Sequence, residues 1–452
     1  MKKIIILFSV LVSSIMTYAE GNEPKRIELT DSERQLVESN NNFAFNLFRK
    51  ARGGESSIMS PLSITYALGM MNNGAAGQTQ QEINQVLGFG NAGADAINQI
   101  CRKLLTEAPT LDENTATEIA NTVFVNSGEG FELQQGFIDK ANEFYDAQPQ
   151  ALNFHEIASS LNIINGWAND HTHGMIPEVL DAETFDENAV SYLMNAIYFK
   201  GKWAYPFEKM FTRDESFNGG HTEPMMRQIN YFEYTENDLY QAVRLPYGNG
   251  AYRMTVFLPR EGKTIDDVLS EKNGENWESD QFVSYYAVDL KLPRINVSTK
   301  LQLEMIMSEM GMPTAFSKYA EFPYFCNRDV CISDLFQKAV INLDEEGTEA
   351  AAVTVIGVGT TGMPQVVTFY ANRPFFYTIS EQSTGAIFFI GQYLGQGLAS
   401  SIDSLTPDSS PEREIVNGKS SNGKWFDLQG RRLSGKPARG IYIEDGKKVL
   451  LK

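Results

Sequence analysis

Asp344-Glu345-Glu346-Gly347-Thr348-Glu349-Ala350-Ala351-Ala352-Val353-Thr354 opens acidic, turns at one glycine and continues in small side chains. Alternate residues of a strand face opposite sides. Thr348, Ala350, Ala352 and Thr354 would share one face, and Glu349, Ala351 and Val353 the other, which the glutamate should keep toward solvent. Small side chains let a strand slide into a crowded sheet. No proline occurs between Glu345 and Gly362, so each residue there can donate to a ladder. Pro364 lies beyond the inserting part, after a loose run rich in Gly and Thr from Val355 to Met363. The same letters also fit a helix N-terminus capped by Thr348 with Ala-rich turns behind it. The rest of the chain must decide between a movable strand and a helix.

Around this stretch, strand-like runs occur at Glu118–Val125, Tyr192–Phe199, Ala242–Leu245, Arg253–Leu258, Ala287–Leu292, Ala339–Leu343, Val366–Tyr370, Phe375–Ser380 and Ala386–Ile390. Helical patterns separate some of them: one carrying Phe43, Phe45, Leu47 and Phe48, then Ser160–His171 and Thr299–Met310. Pro61, in Ser57-Ile58-Met59-Ser60-Pro61-Leu62-Ser63, marks a strand-to-helix switch. Thr79 is the expected cap of a helix presenting Ile83, Val86 and Leu87. Strands and helices do not alternate regularly, so the expected class is α+β with antiparallel or mixed sheets.

The 452 residues carry a net charge of −19, which argues against a nucleic-acid partner. Lys2, Lys3, an apolar run from Ile4 to Val12 and Thr17-Tyr18-Ala19 read as a signal peptide spanning 1–19. The expected location is therefore secreted, extracellular or on the cell surface. The apolar run is too short to span a bilayer, and no later segment is long and apolar enough, so no integral membrane span is expected. Residues 396–422, rich in Gly, Ser, Pro and Asp, read as a linker between a body at 20–395 and a tail at 423–452. From Ser421 onward eight basic residues face three acidic ones, a balance of +5. Short strand signals lie at Lys424–Arg432 and Gly440–Ile443.

Cys101, Cys326 and Cys331 are too few and too uneven for a disulfide framework. Cys326 and Cys331 would either pair or stay as buried thiols. The histidines are His155, His171, His173 and His221. His171-x-His173 finds no third ligand in the sequence, so no metal and no cofactor are expected. No nucleophile elbow or phosphate-binding glycine loop occurs, so an enzyme is the least favoured class.

Several motifs then fall in order. They are Ser60-Pro61-Leu62-Ser63 with Ala67 and Gly74–Thr79; Asn165-Gly166-Trp167 leading into Thr172-His173-Gly174-Met175-Ile176; Asn195–Trp203 with Phe207 and Thr212; and Phe369–Tyr377. Together they resemble the serpins, from about Asn41 to Gly395. The resemblance implies a serpin fold: three β-sheets, eight or nine helices and an exposed reactive-centre loop. It implies an inhibitor of serine, and also of cysteine, endopeptidases. The loop is cleaved, traps the acyl-enzyme and inserts into the main sheet. The partner would be the target protease in a covalent complex, and the inhibitor itself a monomer.

Residue by residue, the resemblance implies a hinge at Glu345, Glu346, Gly347, Thr348, Glu349, Ala350, Ala351, Ala352, Val353 and Thr354. It implies a gate at Ser60, Ser63, Asn195 and Gln337; a helix cap plus a core asparagine is the plainer reading. Many serpins have a histidine where this chain has Gln337, so a protonation trigger there is not expected. Trp203 would lie where the loop enters. Glu345 would pair with Arg294 in a partly exposed contact worth about 0–1 kcal/mol. Counting from Gly347 puts the reactive bond at Thr361–Gly362; counting back from Pro374 gives Met363–Pro364, disfavoured because proline after the bond blocks most proteases. No Lys or Arg occurs from Thr348 to Asn372. An elastase- or subtilisin-like target is expected, not a trypsin-like one. The alternative is a non-inhibitory serpin acting as a binding, chaperone or surface adhesion module. The tail, with Phe426–Arg432, Gly440–Ile443 and Lys447-Lys448, resembles C-terminal segments of exported Bacteroidetes proteins, linked there to secretion or surface attachment, which points to a bacterial secreted type; an ordinary tail is the other reading.

Overall fold

Thr30 starts the first helix with a capping box: its hydroxyl accepts the Glu33 N–H while Glu33 returns a bond to the Thr30 N–H. The computed structural model describes residues 24–90, 92–284, 286–333, 335–348 and 365–396, and the strands 425–426, 440–444 and 447–451. The signal segment, hinge residues Glu349 to Thr354, both candidate bonds (Thr361–Gly362 and Met363–Pro364) and linker residues 397–422 lie outside the described residues.

The first half runs α1 (Asp31–Ala51), β1 (Ser57–Met59), α2 (Pro61–Asn72), α3 (Gly77–Val86), α4 (Gly93–Glu107), β2 (Thr115–Asn126), α5 (Gln135–Tyr145), β3 (Gln150–Leu152), α6 (Ile157–His171) and β4 (Ser191–Lys202). Next come β5 (Arg213–Phe217), β6 (His221–Tyr231), β7 (Glu233–Glu236), β8 (Tyr240–Tyr247), β9 (Tyr252–Pro259) and α7 (Ile265–Glu271). Then follow β10 (Ala287–Pro293), β11 (Ile295–Gln302), α8 (Glu304–Met310), β12 (Phe336–Asp344), β13 (Gly347–Thr348), β14 (Val366–Tyr370), β15 (Phe375–Glu381) and β16 (Ile387–Tyr393).

These make three sheets. One is ordered β1-β16-β15-β9-β8-β7, a small one β14-β10-β6-β5, and a long one β11-β12-β13-β4-β2-β3. Pairing is antiparallel except β10 with β14 and β2 with β3. With eight α-helices among the described residues, this matches the three sheets and eight or nine helices that the resemblance implied. Helix α2 is buried on every side, as expected of a helix at the centre of a core. Its N-cap Ser60 and N1 Pro61 follow directly on β1, the switch expected from the sequence. A main core fills the space around α2 and the three sheets. A second core lies between α6 and the outer face of the long sheet, with Phe124, Ile164, Ala168, Ile176, Tyr192 and Met194.

Two local expectations change. Thr79 does not cap α3: the N-cap is Ala76, and the buried Thr79 hydroxyl instead accepts the Glu321 N–H at 2.9 Å. The helix expected from Thr299 begins only at Glu304, because Ile295–Gln302 pairs along its full length with β12 as a strand. Its period-two burial shows why: Ile295 and Val297 point in, Asn296 and Ser298 out. All three cysteines are free; Cys101 and Cys326 are buried and Cys331 half-buried. Burial pushes the Cys101 thiol up to about 12, so it stays protonated at neutral pH.

Residues Ser401–Lys452 form a separate unit. It contains a small antiparallel sheet of β17 (Trp425–Phe426), β18 (Gly440–Glu444) and β19 (Lys447–Leu451). Among the described residues no helix is long and apolar enough to cross a membrane.

Candidate functional site: the hinge and gate of the long sheet

Strands β12 and β4 run parallel and are held together at two places. At one end the short β13 sits between them, antiparallel to both: Thr348 pairs with Leu343 and with Gly201, and Gly347 with Asp344 and with Lys202. Further down, Leu193 and Leu335 form a single parallel bridge. Among the described residues β12 and β4 form no other ladder with each other between those points.

The turn Glu345-Glu346 reverses the chain into β13. Gly347 has φ +138°, and a Cβ there would overlap the carbonyl oxygen of Gly201, so only glycine fits this approach. The turn is fastened to the end of β4. The Trp203 N–H donates to the Glu346 carbonyl at 2.9 Å and the Phe207 N–H to the Glu345 carbonyl at 2.7 Å. The Trp203 indole N–H reaches the Asp344 carbonyl at 3.0 Å. The same indole stacks on Tyr247 at 4.4 Å and 10°, and the Tyr247 hydroxyl is 3.1 Å from the Thr348 hydroxyl.

The Glu345 carboxylate accepts Arg294 Nε at 3.1 Å, Arg294 Nη2 at 2.6 Å and the Thr212 hydroxyl at 2.6 Å. Burial works to raise its pKa; the bonds from Arg294 and Thr212 outweigh that and hold it below the ordinary glutamate range. The contact is partly exposed, as expected from the sequence, but on the arginine side alone, where the Arg294 side chain is 43% exposed. Glu345 is 1% exposed, because the turn folds its side chain inward under Arg294. Glu346 makes the outer contact, with Lys209 Nζ at 2.5 Å.

The gate residues meet some seven positions away. The Ser60 N–H donates to Gln337 Oε1 at 2.9 Å, and Gln337 Nε2 donates to the Ser60 carbonyl at 2.8 Å and the Ser63 hydroxyl at 3.0 Å. The Ser63 hydroxyl in turn donates to Asn195 Oδ1. Asn195 Nδ2 then donates to Asn121 Oδ1 at 2.6 Å. The network therefore joins β12, the start of α2, β4 and β2. Ser60, Ser63, Gln337 and Asn121 are buried. Every member is neutral, and Asn121 Nδ2 has no partner among the described residues.

Three participants escaped the sequence reading: Asn121, Tyr247 and the Thr212 hydroxyl as a partner of Glu345. Asn121 had a signal, since an amide inside the apolar run Ile119–Val125 needs a polar partner, and the β2–β4 register places it opposite Asn195. Tyr247 had none, being brought in from β8; Thr212 belongs to the motif quoted with Asn195–Trp203, but its bond to Glu345 had no sequence signal. His171 and His173 are engaged separately, His171 with the Trp167 carbonyl and His173 with Glu118. Among the described residues no three His, Cys, Asp or Glu side chains gather as metal ligands.

The sequence model of the family described as Serpin (serine protease inhibitor) matches residues 38–395. Serpin B6 of Macaca fascicularis is 30% identical over 373 residues, covering 79% of this chain and 98% of that protein. Serpin B3 of Homo sapiens is 31% identical over 386 residues, with 79% and 98% covered. The solved native state of tengpin, a thermophilic serpin, has a TM-score of 0.74 at 25% identity and covers 82% of this chain and 96% of that one.

Proposed function

The chain belongs to the serpin family, and from that premise we propose that it is a secreted suicide inhibitor of serine endopeptidases. Insertion of a cleaved reactive loop is an established behaviour of the family; the proposal is that this chain does it, and where. A protease acylated at Thr361–Gly362 would be carried by the loop as it enters between β12 and β4.

The observation that supports this reading is the register of Gly347 and Thr348. Continued one residue at a time, it would set Thr354 opposite both Gln337 and Asn195, and Ile356 opposite both Leu335 and Leu193. The two sides agree: the residues that β12 and β4 now bring together at their closed point would flank one and the same inserted residue. Cross-strand neighbours share a face. Thr348, Ala350, Ala352 and Thr354 would therefore follow the buried Leu343, Ile341, Ala339 and Gln337 inward. Phe199 and Ile197 already occupy that side of β4, which is why alanine suits these positions. The Thr354 hydroxyl would arrive where the gate amides separate and could take over their bonds.

The opposite face meets more than solvent. Glu349 would fall between Asn342 and Lys200, but Ala351, Val353 and Val355 would pass beneath the second core, beside Tyr198, Ala196 and Met194. Helix α6 must yield as the strand advances. Eight residues from Glu349 to Ile356 would gain ladder bonds on both sides. At about 1 kcal/mol net per bond, the gain is on the order of 10 kcal/mol, comparable to the whole stability of a typical domain. That is enough to drive the change irreversibly.

The bait carries no basic residue, which favours elastase- or subtilisin-like targets, and cysteine proteases of similar pocket. Lys2-Lys3, the apolar Ile4–Val12 and Ala19 support export. The basic β-rich tail at 423–452 would serve secretion or surface attachment, as in a bacterial secreted serpin. Mixing the protein with an elastase-like protease should give a covalent complex stable in denaturant. Mass spectrometry of the released C-terminal fragment should show Gly362 as its first residue. Cleaved inhibitor without complex, across panels of serine and cysteine proteases, would sink the reading.

A further inference from the structure

The large apolar side chains left at the surface are unevenly spread. Among the described residues most of them lie on the four-stranded sheet β14-β10-β6-β5 or on the segment leading into it. They are Tyr205, Met210 and Phe211 before β5, Ile229 and Tyr231 on β6, and Val366 at the start of β14. The register shows how the last three stand together. Tyr231, Ala287 and Val366 lie side by side across β6, β10 and β14, and Ile229, Asp289 and Thr368 form the next row. Val288 and Leu290 are buried on the other side of β10, so both rows belong to the outer face. Ile229 is 58% exposed and Val366 53%. Apolar side chains scattered singly over a surface need no explanation; a contiguous exposed group marks an interaction surface.

The charges beside these rows are already matched. Asp289 accepts Arg227 Nε at 2.9 Å, Arg227 Nη2 at 2.8 Å and the Tyr370 hydroxyl at 2.6 Å. Lys291 Nζ donates to Glu215 at 2.7 Å. A partner therefore need bring no opposite charge; what the face leaves unmet is apolar area. The same bonds tie β5, β6, β10 and β14 to one another, so the patch is set before contact and little freedom is lost on docking.

Its position names the occupant. Val366 follows Thr361 by five residues, which span at most about 17 Å. A protease–inhibitor interface buries about 800 Å² on each partner, a disc of about 16 Å radius. A protease seated on Thr361–Gly362 therefore reaches this face. A bait of small apolar residues discriminates weakly between proteases, and an apolar contact outside the cleft supplies the discrimination it lacks.

We propose that the outer face around Ile229, Tyr231 and Val366 is a second docking surface for the target protease, and that it takes an apolar rim beside the protease's active-site cleft. The inference rests on the reactive bond proposed at Thr361–Gly362 and adds the residues that choose among proteases able to cut it.

The double variant Ile229→Thr/Tyr231→Thr of the full chain tests it. Both positions are exposed, and threonine keeps the β-branched shape that suits a strand, so the unfolding midpoint should match the parent's. Binding to an elastase-like protease whose catalytic serine is replaced by alanine should weaken about tenfold or more, as loss of an aromatic anchor does. The second-order rate of inhibition of the active protease should fall by a similar factor, with the fraction of encounters ending in covalent complex unchanged. Met305→Thr/Tyr319→Thr removes apolar side chains at least as exposed but outside the four-stranded sheet, and should bind as the parent does. Equal binding by parent and Ile229→Thr/Tyr231→Thr, equal loss in the two double variants, or no binding of the inactive protease by the parent would each overturn the docking surface. So would a parent that is a dimer where Ile229→Thr/Tyr231→Thr is a monomer, which would assign the face to a second copy of this chain. Tighter binding by the parent without any covalent complex from the active protease would leave the docking surface standing and overturn the suicide mechanism instead.

Discussion

The hinge turn and the gate fasten the same two strands, β12 and β4, roughly 23 Å apart at the usual rise of a strand, by opposite chemistry. At the hinge the fastening is ionic: Arg294 and Thr212 hold Glu345, and Lys209 holds Glu346. At the gate it is a relay of neutral amides and hydroxyls, Ser60–Gln337–Ser63–Asn195–Asn121. An ionic clasp near the surface responds to pH and salt; a buried neutral relay does not. The difference separates two jobs. On the proposed mechanism the hinge would keep Gly347 and Thr348 seated, and the gate would decide whether the sheet can part.

The largest effect should come from Thr348, which is seated in the hinge and would lead the proposed insertion. Thr348 is buried, with Gly201 opposite it and the Tyr247 hydroxyl beside it. Thr348→Arg would bring an unpaired charge into that space, so insertion should stall at its first step and the acyl-enzyme should hydrolyse. Titrating protease with the variant should show complete turnover as a substrate and no band stable in denaturant. A persistent covalent complex would break the link between hinge seating and trapping.

Next comes the gate. Asn195→Ala removes the acceptor of the Ser63 hydroxyl and the donor to Asn121, leaving both buried partners short. The loss should be about 2–3 kcal/mol of native stability, read from urea unfolding at neutral pH. A change below about 0.5 kcal/mol would mean that the relay is incidental to holding the sheet closed.

How much of this was legible follows the same division. β14 was read to the residue, and β8, β9, β10, β12, β15 and β16 were recognisable from their apolar runs, because buried strands carry dense hydrophobic sequence. β5, β6 and β7 were not: Arg213–Phe217 is mostly charged, and β6 alternates with residues that stay at the surface, so their pairing is decided by neighbours rather than by composition. At the site, Glu345 and Arg294 were legible as opposite charges. The burial of Glu345 was not, since it depends on Thr212 and the turn. Asn121 announced itself only as a misplaced amide, and Tyr247 not at all, since its role comes from stacking on Trp203. Asn121 and Tyr247 became visible only through the register and packing of the sheet.

The ionic clasp should give a smaller, condition-dependent effect. Arg294→Gln should cost about 1–2 kcal/mol near neutral pH, discounted because the Arg294 side chain is 43% exposed and therefore screened. Glu345 titrates below its ordinary range in the folded protein. Its contribution is therefore full above that range and lost as pH falls through the depressed value. The gap between the parent and Arg294→Gln should narrow in acid, and also in high salt. Unfolding midpoints measured on both proteins across acid and neutral pH check this; a gap that widens in acid would contradict the clasp.

Gln337→His should do least at neutral pH and most to sharpen the contrast. A neutral imidazole offers one acceptor and one donor, which are the two roles that Gln337 plays toward Ser60 N–H and the Ser60 carbonyl. Above the ordinary histidine range the variant should behave much like the parent. Protonation makes both ring nitrogens donors, so the Ser60 N–H loses its acceptor and a charge appears among buried neutral groups. The buried ring would resist the proton that the unfolded chain accepts, so stability falls as pH drops below about 6.5, the ordinary histidine value. The inhibition rate and unfolding midpoint of the variant should then change between about pH 8 and about pH 5, while those of the parent gate stay level apart from the slight hinge contribution. A parent protein with the same midpoint shift over that range would show that its gate is not the neutral device that Gln337 makes it.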